Sequence, residues 1–345
     1  MVKITVLVAI YNAERYLSMC LNSLVCQTIR DIQVVCIDDA STDASLKILD
    51  KYARRDDRIE VIHLEKNGGQ AKARNIGLKQ AKGIYTCFLD SDDWFAPDAL
   101  EKVIAKFEES DDYDCVLFRA KYAYPIHNVN GVPKYRFVDY DMHNFNSMTG
   151  KEAFVDSLTW KIHGIYAVKT SIHLRFPYDD SCHSYSDDNT TRLHYLASRK
   201  VAMCDGIYYY RQHKASVTHQ VSIRRFDYLD ANTHMKQYLQ CLHVEEKYLH
   251  HYENHRWLNL IALYQFAIQH KTEFQKDDYH QAMQMLRATW QSIDVSALTP
   301  RNHYKIGYVP FLSIWMPEPV GWFLFSCEQK IYHRLRKVLR RNSEV

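Results

Sequence analysis

The stretch FLDSDDWFAP, residues 88–97, places Asp90, Asp92 and Asp93 within four positions directly behind an apolar run. Carboxylates held that close repel one another unless something positive sits among them. Spaced as Asp-Ser-Asp around Ser91 at a strand end, Asp90 and Asp92 can converge on one Mg²⁺ or Mn²⁺, whose remaining positions take phosphate oxygens and water. Asp93 also suits a helix start, where the dipole favours acids. A second pair, Asp187-Asp188, opens the predicted helix of YSDDNTTRLHYLAS (185–198). Neighbours on a helix point roughly 100° apart, so only one of these two faces a given ligand. A third pair, Asp38-Asp39, lies in IDDASTD (37–43), where Ser41 and Asp43 suit capping of the next helix. One of Asp38 and Asp39 can accept an N–H from a nucleobase or a ribose hydroxyl, and Tyr11 offers a flat face for the base. NGGQAKARNIG (67–77) adds Lys72, equally suited to a solvated basic face, and Arg74, a planar fork for phosphate or base oxygens.

These residues sit on a regular scaffold. ITVLVAI (4–10) is a continuous apolar run, as in a strand covered on both faces. AERYLSMCLNSLVCQ (13–27) then sets Leu17, Leu21, Leu24 and Val25 at helical spacing, with Asn12 at the N-cap. Strand patterns over 32–38, 59–65, 84–90 and 114–118 alternate with helical ones, the last helix carrying Pro97 near N1. Such alternation predicts an α/β fold with a mostly parallel sheet flanked by helices. Ligands of these sheets bind beyond the carboxyl ends of the strands, where Tyr11, Asn12, Asp38, Asp39 and Asp90 to Asp93 all fall. Residues 1–120 form the expected nucleotide-sugar-binding half and 121–223, looser and rich in tyrosine, the expected acceptor-side half with the base and diphosphate motifs. Residues 224–345 form a helical extension. No GxGxxG follows the first strand and no GxxxxGK[ST] occurs, so the chain carries neither a dinucleotide fingerprint nor a P-loop.

AIYNAERYLSMCLNSLVCQT, IDDASTD, NGGQAKARNIGL and FLDSDDWFAPDAL, in that order, resemble the family 2 glycosyltransferases of the GT-A fold. The resemblance covers about the first 120 residues closely and resumes around 160–220. It implies inverting, metal-dependent transfer of a sugar from a nucleotide-sugar, usually a UDP-sugar, to a hydroxyl of a glycan or lipid-linked glycan in cell-surface polysaccharide synthesis. Tyr11, Asn12, Asp39, Lys72, Arg74, Asp90, Ser91 and Arg211 would then bind the nucleotide-sugar. Asp92, Asp90 and His213 would hold Mn²⁺ or Mg²⁺. Asp188 would act as catalytic base with Asp187 in support, where most relatives have Glu-Asp. YYYRQHKASVTH (208–219) resembles the motif that closes over the diphosphate and makes Arg211, His213 and Ser216 candidates for contact. Two positions depart from the family pattern: Ile10 stands for a usual proline and Ala40 for a usual glycine. Ala40 leads to an expectation of αR or β backbone there. For Trp94 and Trp160, core packing is the expected role ahead of sugar stacking. A nucleotidyltransferase would usually show a glycine-rich loop after the first strand, and a non-catalytic glycan-binding relative would not need the acids.

A formal net charge of +3 over 345 residues gives no ground for nucleic-acid binding. Nine scattered cysteines without a CxxC pair fit reduced, mostly buried thiols, hence a cytoplasmic setting. The amino terminus reads as a first strand, not a signal peptide. At the other end, YVPFLSIWMPEPVGWFLF (308–325) is apolar but broken by Pro310, Pro317, Glu318 and Pro319, which excludes an ordinary spanning helix. EQKIYHRLRKVLRRNSEV then sets Ile331, Leu335, Val338 and Leu339 against Arg334, Arg336, Lys337, Arg340 and Arg341. That pattern fits peripheral attachment to an anionic membrane surface on the inner face of the cytoplasmic membrane, or a helix packed on the domain with a solvated basic face.

Overall fold

The computed structural model describes residues 1–129, 132–180, 185–212, 221–312 and 315–343. Two compact units divide the chain, Met1–Ser216 and Val217–Val345.

The first unit is built on a ten-stranded sheet. Its strands are β1 (Ile4–Ile10), β2 (Ile32–Asp38), β3 (Ile59–His63), β4 (Tyr85–Phe88), β5 (Trp94–Phe95), β6 (Tyr113–Val129), β7 (Val132–Asp139), β8 (Ser147–Thr149), β9 (Tyr166–Lys169) and β10 (Lys200–Arg211). Helices α1 (Glu14–Val25), α2 (Ser45–Ala53), α3 (Gln70–Leu78), α4 (Ala99–Glu108), α5 (Gly150–Ser157), α6 (Thr170–Arg175) and α7 (Ser186–Ala197) connect them. The order β3-β2-β1-β4-β9-β6-β10-β5 has parallel pairs through β3, β2, β1 and β4 and again between β6 and β10. Strand β9 runs antiparallel to both β4 and β6, making the sheet mixed. The alternation up to residue 118 could not disclose β9, because it pairs across the sheet with elements far away in sequence. It also could not disclose that β6 continues through residue 120 to form a hairpin with β7. Because β9 opposes both neighbours, the carboxyl ends of β1, β2, β4, β6 and β10 share one edge.

The mostly apolar sequences of β1 and β2 follow from coverage on both faces, with the buried Thr5 and Gln33 side chains hydrogen-bonded to each other at 2.7 Å. Ile4, Val6 and Val8 pack with Leu17, Leu21 and Leu24 of α1 and with Val103, Ile104 and Phe107 of α4. Leu7, Val35 and Ile37 point the other way, onto Ala71, Ala73 and Leu78 of α3. Gly77 allows that approach, since a Cβ there would stand 2.5 Å from Ile37 Cδ1. Burying a Leu or Val on either face contributes about 1.5–3 kcal/mol. Pro97 precedes the Asp98 N-cap of α4, so it lies outside the helix rather than near N1. Among the described residues the cysteines are all free thiols.

Ala40 overturns its backbone expectation: it adopts φ 59°, in the left-handed region. The turn is held there because the Asp39 N–H donates to the Ile10 carbonyl at 2.8 Å and the Asp39 carboxylate is anchored on both oxygens. An L-residue with a Cβ is strained in this region by roughly 1–2 kcal/mol, part of which glycine gives back in unfolded-chain entropy. Ala40→Gly is therefore expected to stabilise the protein by about 0.5–1 kcal/mol in denaturant titration. A neutral or destabilising result would show that the turn carries no such strain.

The second unit is helical: α8 (Asp227–Cys241), α9 (Glu246–Gln269), α10 (Lys276–Gln291), α11 (Pro300–Tyr304) and α12 (Glu318–Ser343). Its core joins Trp257, Leu260 and Tyr264 of α9 with Leu286 and Trp290 of α10 and Phe325 of α12. No helix among the described residues is long and apolar enough to cross a membrane.

Candidate functional site

The turns after β1 and β2 are tied to each other. Asn12, at φ 50°, donates its backbone N–H to Ser41 Oγ at 3.0 Å, and its side-chain Oδ1 accepts from the Thr42 N–H at 2.8 Å. It thus braces the second turn instead of capping α1, whose N-cap is Ala13. Asp43 serves two helix starts at once, accepting from the Ser45 N–H at 2.9 Å and the Glu14 N–H at 3.0 Å. Tyr11 is left 53% exposed at the strand mouth, with a ring face available to a base. Asp39 is buried, and its two oxygens accept from the Gly68 and Gly69 N–H groups at 2.7 and 2.8 Å. Gly69 reaches that position at φ +87°, which a side chain would resist. Each carboxylate oxygen keeps a second lone pair. Asp38 is fully buried beside His63, 2.7 Å away. Lys72 is exposed on α3.

After β4 the three acids separate into different roles. Asp93 turns inward and is fully buried, accepting from the Tyr208 hydroxyl and from the Arg211 N–H, both at 2.7 Å. It fastens the β4–β5 turn to β10 and does not serve a helix N-terminus. Asp90 accepts from Gln70 Nε2 at 2.9 Å and from Arg74 Nη2 at 2.5 Å on the same oxygen. Burial first, then the charges of Asp92 and Asp187, push its carboxyl up to about 6 in spite of Arg74. Ser91 and Asp92 are half-buried at the same turn.

Arg74 is 2% exposed, with its guanidinium 4.3 Å over the Phe88 ring and 5.2 Å from the Tyr178 ring. Of its fork, Nη2 donates to Asp90, while Nε is buried without a hydrogen-bond partner among the described residues. Arg211, the candidate for the diphosphate, is engaged within the protein. Its Nε donates to the Asp92 carbonyl at 2.5 Å, and its guanidinium lies 4.7 to 5.0 Å from the rings of Trp94, Tyr16 and Tyr135. Burial pulls its pKa down against the pull of Asp93 and Asp92. Trp94 is part of that cage and stacks on Tyr209 at 5.2 Å, in keeping with packing. His213 and Ser216 lie outside the described residues.

The second acidic pair sits in the first turn of α7, behind Tyr185 at φ 65°. Asp187 is exposed, and its charge reaches Asp90, Arg74 and Tyr178. Asp188 is more sheltered, 13% exposed, with Oδ2 3.6 Å from Nη2 of the fully buried Arg192. The structure therefore brings α7 into the electrostatic range of the β4 turn from more than 90 positions away. The i, i+4 spacing of Asp188 and Arg192 was available in the sequence as a signal for this pair. Nothing local marks Gln70, Tyr178 or Tyr208, which the sequence reading missed.

Among the described residues, no group of three or more His, Cys, Asp or Glu side chains gathers as a metal site. Of the expected ligands, Asp90 is engaged by Arg74, and Asp92 stands at the turn. Burial, with the charges of Asp92 and Asp187 adding to it, keeps the Asp90 carboxyl raised even with a guanidinium in contact. That frustration fits a cation at this turn.

A parallel sheet ending in these acidic turns, widened by antiparallel strands, is the GT-A arrangement. The structure of Staphylococcus aureus TarS 1-349 in complex with UDP-GlcNAc superposes with a TM-score of 0.71 at 22% identity, covering 99% of this chain and 92% of that one. Residues 5–172 match the family Glycosyl transferase family 2. The putative glycosyltransferase EpsH of Bacillus subtilis (strain 168) is 30% identical over 233 residues, 65% of each chain. The glycosyltransferase GlyG of Streptococcus pneumoniae serotype 4 is 29% identical over 232 residues, 62% of this chain and 72% of that protein. Residues 5–172 thus resemble glycosyltransferase family 2, and the chain spans 65% of the length of EpsH.

Proposed function

We propose that the protein transfers a sugar from a UDP-sugar, with inversion, to a hydroxyl of a cell-surface polysaccharide or its lipid-linked precursor. The observation that carries this reading is the meeting of two acidic pairs from distant segments, with the charge of Asp187 felt at Asp90 and Arg74. One pair suits the donor diphosphate and the other the acceptor proton. Relatives with this fold are described in complex with UDP and UDP-GlcNAc, which supports UDP as the donor nucleotide. In this reading Tyr11 stacks on the base, Asp39 accepts from it through a remaining lone pair, and Asn12, Ser91 and Lys72 line the nucleotide. Arg74 and Arg211 act one step back, positioning Asp90 and the Asp92 backbone.

Asp188 takes the proton of the acceptor hydroxyl as its oxygen attacks the anomeric carbon from the face opposite the nucleotide. The C–O bond to the diphosphate breaks as the new glycosidic bond forms, so one displacement inverts the centre without a covalent enzyme intermediate. Arg192, 3.6 Å from Asp188, orients the base. Asp92 with Asp90, and His213 by family resemblance, would hold a divalent ion, which when bound offsets charge on the departing diphosphate. The β1–α1 turn is occupied by Asn12 bonds to Ser41 and Thr42 rather than by a glycine-rich cradle, which weighs against a nucleotidyltransferase. Screening UDP-, GDP- and dTDP-sugars for Mn²⁺-dependent hydrolysis tests the reading: release of UDP from a UDP-sugar is expected, and a blank across all three sinks it.

We also propose peripheral attachment to an anionic membrane on the cytoplasmic side. Ile331, Leu335 and Val338 follow one line of α12 and are 50%, 46% and 56% exposed. Lys330, Arg334 and Lys337 fall along one flank at helical spacing, and residues 329–343 contain no acid. Cations beside an exposed apolar stripe suit the interface of anionic lipids. Glu328 and Gln329 are buried, so truncation there would damage the unit's core. Leu335→Glu with Leu339→Glu is the cleaner test, expected to release the protein from phosphatidylglycerol vesicles in a flotation assay. Unchanged flotation would retire the attachment.

A further inference from the structure

Four tyrosines meet beside the two acidic pairs. Tyr122 lies 6.2 Å from Tyr124, 5.3 Å from Tyr140 and 5.9 Å from Tyr210 between ring centroids. Tyr122 and Tyr210 are register partners on β6 and β10, so they leave the same face of the sheet, and Tyr124 follows two residues on. Tyr140 closes the group from just beyond β7, anchored by its N–H to the Ala120 carbonyl at 3.0 Å. All four are half-buried. Among the described residues no protein group hydrogen-bonds their hydroxyls, in contrast to Tyr208, which is spent on Asp93. A cluster built only for packing would bury these rings more fully or pair their hydroxyls.

The surroundings define what could bind. Burial, then Tyr122 and the charge of Asp188, push the Tyr140 phenol up. Burial, then Asp90, Asp93 and Asp92, do the same to Tyr210. The platform thus lies within the fields of both the donor-side acids and the base. On this face of the sheet Arg136, the register partner of Tyr124, is engaged over the Tyr124 ring at 5.2 Å. A polyanionic acceptor would meet the charges of Asp188, Asp90, Asp93 and Asp92 there. A neutral pyranose would not. Its C–H face matches an aromatic surface, and its hydroxyls match phenol tips that lack protein partners.

We propose that Tyr122, Tyr140 and Tyr210 form the acceptor subsite, stacking an uncharged sugar ring beside Asp188, so that the accepting end of the glycan is a neutral pyranose and not a polyol-phosphate chain. This rests on the transfer reaction proposed above. Binding can be measured without turnover by titrating the donor-free protein calorimetrically with octyl glucoside, octyl galactoside, octyl N-acetylglucosaminide and a ribitol-phosphate oligomer. At least one glycoside is expected to bind and the oligomer to bind more weakly. Tyr122→Ala and Tyr140→Ala should each weaken the glycoside about tenfold, with UDP affinity retained as the check on folding. Tyr140→Leu serves if Tyr140→Ala fails that check. Preference for the oligomer, no glycoside binding, or alanine variants that bind as tightly as the parent would each overturn the subsite. Glycoside binding that depends on the tyrosines, in a protein that hydrolyses no nucleotide-sugar, would support the subsite and sink the transfer reading instead.

Discussion

Asp188→Asn is expected to lower the transfer rate about 10²- to 10⁴-fold, the range for removing a positioned general base, while leaving UDP affinity within about twofold. The amide keeps the size and much of the hydrogen bonding of the carboxylate but cannot take the acceptor proton. Asp187→Asn should cost far less, about tenfold, because Asp187 is exposed and acts through its field at Asp90 and Arg74. The pair is discriminated by comparing steady-state transfer and UDP titration for both variants. Should Asp187→Asn show the larger loss, the roles are reversed and Asp188 becomes the residue that orients the helix start against Arg192. Equal, modest losses from both would mean that neither carboxylate accepts the proton.

The parallel half of the fold could be read from the sequence because its physics is local. A strand covered on both faces is apolar at most positions, and Ile4–Ile10 departs from that only at Thr5 and Ile32–Asp38 only at Gln33 and its terminal Asp38. The acids at strand ends were legible for the same reason. What each acid touches was not. Asp93 is held by Tyr208 and Arg211, more than a hundred positions away, and no spacing rule connects them. Arg74 and Arg211 look like phosphate ligands as residue types, yet one is clamped on Asp90 and the other is caged by aromatic rings. Ala40 misled in a different way: propensity argues against φ 59°, but four hydrogen bonds around Asp39 and its neighbours outweigh a strain of roughly 1–2 kcal/mol. In each case the tertiary partner decides, and it is supplied by topology.

Arg74→Met is expected to destabilise the first unit by about 3 kcal/mol, the lower end for breaking a buried ion pair, since Asp90 keeps 30% exposure. The loss would appear as a fall in melting temperature of about 6–12 °C for a unit of this size. Methionine retains the packing against Phe88 and Tyr178, so the deficit reports on charge. Without the guanidinium, Asp90 faces Asp92 and Asp187 with only Gln70 as a neutral partner. Asp90→Asn removes that conflict but strands a buried Arg74, so it too should destabilise. Combining the two replaces a charged pair by neutral groups, and the double variant should recover much of the summed loss. Additivity within about 0.5 kcal/mol would show instead that Arg74 and Asp90 contribute independently. The cation among the acids of the β4 turn is then, in the donor-free enzyme, the guanidinium of α3.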